Sequence, residues 1–216
     1  MDNLNLPKGF IVFISGVPGS GKTTVSYNLL KKYNEFRIVE ETDLIREILL
    51  GYNEYLVNEY TEDYNFIKKI NITDHNKLLS LNEAKEQCKH MKYSLKNIVE
   101  RQQRKGICTI INGVHIIPGM LNELIKSNNI IYINLYVNNQ TELYNRIYNR
   151  NPSSYMLEHI PFIYHTNIDL YQHTSVLCKS FPYLFYNIDV TNLSIDKTLK
   201  KIICCINERV ANSNNN

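Results

Sequence analysis

No stretch near the start of this chain could cross a bilayer. The apolar run Phe10 to Ile14 is far too short, and Met1 to Gly9 has no charged region leading into a long apolar one. Neither membrane attachment nor export is therefore expected, and a cytoplasmic location is. Metal-binding and disulfide patterns are also missing. The five cysteines, Cys88, Cys108, Cys178, Cys204 and Cys205, form no CxxC pair and no Cys/His spacing. Their number is odd, so they read as free thiols in a reducing compartment, most of them in the core. The six histidines include no HExxH, and no structural metal is expected. An excess of either charge is lacking too. A net charge of +3 gives no polybasic signature, and nucleic acid is not the expected partner. The tyrosines are numerous but spread out, with no interleaved basic run to make a base-stacking platform. They are expected to pack the edges of the core.

Internal repeats and linkers are absent, and 216 residues with 44% hydrophobic content suit one α/β domain. That domain is expected over residues 1–211, with a polar, disordered tail at 212–216. Apolar runs alternate with helix-like stretches. Strands are expected at 10–14, 37–39, 107–111, 130–137 and 184–188. Helices are expected at 22–32, from 43, and at 83–105, 120–126, 140–149 and 195–210. Continuously apolar strands between helices imply a mostly parallel five-stranded sheet covered on both faces, a three-layer α/β/α arrangement. Ligands in such folds bind beyond the carboxyl ends of the strands.

Glycine is sparse, yet three of the eight glycines fall in one loop, Gly16-Val17-Pro18-Gly19-Ser20-Gly21-Lys22-Thr23-Thr24. This matches GxxxxGK[ST] between a strand and a helix, the context of a P-loop. Its backbone N–H groups converge on phosphate and the helix dipole adds to them. Lys22 is expected on the β- and γ-phosphates, and the Thr23 hydroxyl on Mg²⁺. The fold class is therefore a P-loop NTPase fold.

Asp43, in Thr42-Asp-Leu-Ile-Arg46, follows the second strand. A kinase needs a carboxylate there to orient or deprotonate the attacking hydroxyl. Thr42 is placed to cap the next helix, and Arg46 to bind an anionic acceptor. The third strand ends at Asn112, where many P-loop proteins carry an acid that holds Mg²⁺ through water. A neutral amide is a poorer partner for a hard cation, which shifts the metal onto Thr23 and Asp43. His115, shortly after, either faces the acceptor or is structural.

The segments GVPGSGKTT, TDLIRE and NGVHIIPG, in this order and spacing, resemble the archaeal 2-phosphoglycerate kinase family and its wider relatives among small P-loop kinases. Arg101 in VERQQRKG fits the same pattern. The resemblance covers roughly Phe10 to Asn192, and the family usually has Glu where this chain has Asn112. It implies ATP and Mg²⁺ on Lys22 and Thr23, Asp43 near the reacting hydroxyl, and Arg46, Arg101 and His115 facing a small-molecule acceptor.

Arg146 and Arg150 lie four apart on one helical face, and Asn151-Pro-Ser-Ser then interrupts the helix. Residues 153–180 read as helical with a kink or break at Pro161. This arrangement resembles the lid of small kinases, over about 146–180, with both arginines closing on the transferring phosphoryl group. The segment 187–192 either helps hold adenine, as the corresponding loop does in related folds, or caps the last helix. A polynucleotide or nucleotide kinase, and a nucleotide-binding regulatory module with little catalysis, are the alternatives.

Overall fold

The computed structural model describes residues 4–59, 80–127, 129–150 and 152–213. Five strands, β1 (Ile11–Ser15), β2 (Phe36–Glu41), β3 (Cys108–Asn112), β4 (Ile130–Tyr136) and β5 (Phe185–Asp189), form one parallel sheet in the order β2-β3-β1-β4-β5. The helices are α1 (Lys22–Lys32), α2 (Thr42–Glu59), α3 (Leu81–Arg104), α4 (Asn122–Ser127), α5 (Gln140–Tyr148), α6 (Ser154–Glu158), α7 (Ile160–Ser180) and α8 (Ile195–Ser213). Each strand is followed by helix, as right-handed parallel crossovers require.

The period of two along each strand divides the core between the faces. Val12 and Ile14 of β1 pack with Val25 and Leu29 of α1 and Ile202 of α8. Ile11 and Phe13 pack on the other face with Met91 and Leu95 of α3 and Leu170 of α7. β1 is buried throughout, as befits a central strand, and β2 at the edge is mostly half-buried. The three expected layers are present. Among the described residues no helix is long and apolar enough to cross a membrane.

Local chemistry moves three boundaries. α3 begins before Glu83 because Ser80 and Glu83 form a reciprocal capping box: Glu83 N–H donates to Ser80 Oγ at 3.2 Å and Ser80 N–H to Glu83 Oε2 at 2.8 Å. Pro161 kinks nothing. It lies in the first turn of α7, where its missing N–H goes unnoticed, and the break falls at His159. Asn212 and Ser213, expected in the tail, continue α8, and 214–216 lie outside the described residues, as does Asn151.

α7 accounts for most of the stretch expected as a lid, and it packs on the sheet. Buried Asn167 donates to the Val137 carbonyl at 2.8 Å and accepts from its N–H at 3.1 Å, and His173 Nε2 lies 2.8 Å from the Pro118 carbonyl. Such a doubly bonded buried amide ties a helix to a strand end. The tyrosines depart from expectation as well. Tyr132 and Tyr33 are core residues, but Tyr52, Tyr93 and Tyr148 are more than half exposed, at 60%, 75% and 56%.

Candidate active site

The topology reverses direction on either side of β1, so a crevice opens at its carboxyl end. The loop Gly16–Gly21 fills that end. Gly16 has φ +142°, and a Cβ there would stand 2.4 Å from the Leu135 carbonyl oxygen. Gly21, at φ +93°, caps α1 without any side-chain bond, so the first amides of α1 face the crevice unclaimed by a capping side chain. Lys22 Nζ donates to the Val17 carbonyl at 2.9 Å. Lys22 is half-buried, and its surroundings lower its pKa to about 8, burial first, with Asp43 and Glu41 opposing and Arg150 assisting. Lys22, Asp43 and Arg150 are thus brought together. Glu41, which the sequence reading passed over, belongs with them.

Next to them lies a buried cluster joining the ends of β2 and β3. His115 is fully buried, with Nδ1 2.9 Å from Thr42 Oγ1 and 3.5 Å from Asp43 Oδ1. The Thr42 hydroxyl therefore serves His115. Burial lowers the His115 pKa to about 4, with Asp43 opposing and Arg46 and Lys22 assisting, so the ring is neutral at pH 7. Arg46 thus stands near both Asp43 and His115, with its guanidinium 3.0 Å from Glu47. The Asp43 side chain is 65% exposed and open to a ligand. His115 buttresses this carboxylate from behind, and its burial keeps it from an acceptor in solvent.

Gly113 makes the cluster possible, because a Cβ on it would stand 1.7 Å from Thr42 Oγ1, at a φ of +154°. Gly113→Ala is expected to destabilise the fold by at least about 2 kcal/mol, through overpacking and backbone strain. Urea unfolding would show it as a lowered midpoint, and an unchanged midpoint would contradict this packing. The neutral His115 gives a second expectation. Between pH 6.5 and about 4 the unfolded chain takes up a proton that the folded one does not. Stability from this site is complete above pH 6.5 and is lost as pH falls toward 4, by on the order of 3 kcal/mol. Urea midpoints at pH 7 and pH 4.5 should therefore differ more for the wild type than for His115→Gln.

A second part of the crevice is a cavity of about 420 Å³ lined by Gly19, Thr24, Arg146, Arg150, Val190 and Leu193 among others. It joins the phosphate loop to the segment after β5. The two arginines are not equivalent. Arg146 Nε donates to Glu142 at 2.8 Å and its Nη2 to the Val190 carbonyl. This double tether fixes the Arg146 guanidinium against the segment after β5. Arg150 is the one close enough to Lys22 to act on its charge.

Arg101 is misplaced for any acceptor role. α3 runs antiparallel to β3, so its last turn lies at the amino edge of the sheet, near Gly9 and Gln103, opposite the phosphate loop. Arg101 donates there to Gln102 at 3.2 Å. Asn112, by contrast, is at the crevice, 2% exposed and paired in register between Ile14 and Glu41.

The glycine loop, the helix it opens and the parallel sheet define a P-loop nucleotide-binding fold. A family model described as AAA domain matches residues 12–158, and the chain belongs to that family. It is 26% identical over 144 residues to a 2-phosphoglycerate kinase of Methanothermobacter thermautotrophicus, covering 65% of this chain and 47% of the relative. A 2-phosphoglycerate kinase of Pyrococcus horikoshii is 25% identical over 203 residues, covering 89% of this chain and 62% of the relative. The chain thus spans about half the length of the curated relatives it matches. A gluconokinase from Sinorhizobium meliloti 1021 shares the fold, with a TM-score of 0.52, 11% identity and coverage of 95% of this chain and 96% of that one.

Proposed function

We propose that the chain is a kinase that transfers the γ-phosphate of ATP to a small anionic metabolite resembling 2-phosphoglycerate. The observation that carries this reading is the exposed Asp43 carboxylate standing beside Lys22 at the end of the phosphate loop. In the reaction, an acceptor hydroxyl attacks the γ-phosphorus while the bond to the β–γ bridging oxygen breaks and ADP leaves. Asp43 takes the hydroxyl proton. Lys22 and Arg150 neutralise charge on the transferring group, and Arg146 borders the base. Arg46 meets the anionic group of the acceptor.

The oxygen donors at the crevice, the exposed Thr23 hydroxyl and the Asp43 carboxylate, suit a hard cation. Mg²⁺ bound with the nucleotide supplies charge neutralisation across the phosphates. Asn112 favours a second reading, a nucleotide-binding module with little turnover. Titration calorimetry with ATP and a non-hydrolysable analogue, in Mg²⁺, tests the shared premise. Micromolar binding of both supports it, and no binding of either removes both readings.

A further inference from the structure

The end of β3 lacks a carboxylate, and the neighbouring strand carries one. Asn112 is 2% exposed and its Nδ2 has no partner among the described residues. The register sets Glu41 of β2 directly beside it. Residues paired across parallel strands project to the same face, and here it is the α1 face. Ile14, the other register partner of Asn112, packs there with Val25 and Leu29. Tyr27 of α1 confirms the direction for Glu41, donating its phenol to Glu41 Oε1 at 3.0 Å. Glu41 also lies near enough to Lys22 to act on its charge. Glu41, the orphan amide of Asn112 and the first turn of α1 therefore share one corner of the crevice. That turn carries Lys22 and Thr23.

An unpartnered, buried amide donor next to a half-buried carboxylate is costly unless something completes the pair. Strands are ~4.8 Å apart, so a carboxylate on β2 must reach farther toward the phosphate loop than one on β3. Glutamate has one more methylene than aspartate for that reach. No three His, Cys, Asp or Glu side chains converge among the described residues. A cation here would take its other ligands from phosphate, water and Thr23, as Mg²⁺ commonly does.

We propose that Glu41 is the metal-side carboxylate of this site, holding the divalent cation of the bound nucleotide from β2 in place of the acid that β3 lacks, with the Asn112 amide orienting it. This assignment rests on the proposed nucleotide-dependent function. The test measures ATP affinity with a fluorescent ATP analogue, in Mg²⁺ and in EDTA, for the wild type, Glu41→Gln and Glu41→Gln/Asn112→Asp. Glutamine still accepts from Tyr27, so the fold is retained. The wild type should bind at least tenfold more tightly with Mg²⁺. Glu41→Gln should lose that gain while its affinity in EDTA stays equal or improves. Asn112→Asp in the same background should restore the gain, because the carboxylate returns to β3. A purely structural role for Glu41 would not give this rescue. If Glu41→Gln keeps the full Mg²⁺ gain, the assignment to Glu41 is wrong and the kinase reading stands. If the wild type binds no ATP under either condition, the functional reading fails and takes this one with it.

Discussion

Lys22→Ala should lower phosphoryl transfer by on the order of 10³-fold and weaken ATP binding, with no loss of stability. The first part follows from position. Lys22 opens α1 at the glycine loop, beside Asp43, Glu41 and Arg150, where the proposed transfer develops charge. The second follows from its cost to the free protein. Its ammonium is held at about 8 by burial, so the folded, unliganded chain carries a charge it would be more stable without. Removing it should leave the unfolding midpoint equal or higher, a trade of stability for function. Single-turnover transfer and urea unfolding on the same preparation separate the two effects. Wild-type transfer in the variant would remove Lys22 from the mechanism.

Asp43→Asn should reduce transfer by roughly 10²- to 10⁴-fold, the usual range for a general base, while ATP affinity measured in EDTA stays within about threefold. The substitution keeps shape and removes only the charge. Asp43 is the exposed member of a cluster whose other parts, Thr42 and His115, are buried, so its carboxylate alone can meet an acceptor. The neutral His115 ring, 3.5 Å away, leaves the carboxylate charge unneutralised. Transfer measured at saturating acceptor isolates the chemical step. A change confined to the acceptor KM would make Asp43 a binding residue.

Much of this arrangement was legible in the sequence because it is local. The phosphate loop, α1 and the position of Asp43 depend on a strand, a turn and a helix in succession, and 22–32 matched α1 at both ends. What was not legible depends on direction and register. Arg101 was placed at the acceptor by the family resemblance, but an antiparallel helix carries it to the far edge of the sheet. Arg146 and Arg150 were expected on one helical face, but α5 ends at Tyr148, so Arg150 lies beyond the helix while Arg146 inside it is tethered to Val190. Glu41 adjoins Asn112 because β2 and β3 pair across a long intervening segment. The glutamate just before Thr42 and Asp43, which ends β2, was the available signal, and the strand expected at 37–39 stopped short of it.

The most direct test is transfer itself: purified protein, Mg²⁺, γ-labelled ATP and a panel of acceptors spanning 2-phosphoglycerate, other phosphorylated and carboxylated metabolites, nucleosides and 5′-hydroxyl RNA. Label on one small acid, lost in Asp43→Asn, is the expected result. Label on RNA or nucleosides instead, or no transfer to any acceptor despite clear ATP binding, would contradict a small-metabolite kinase.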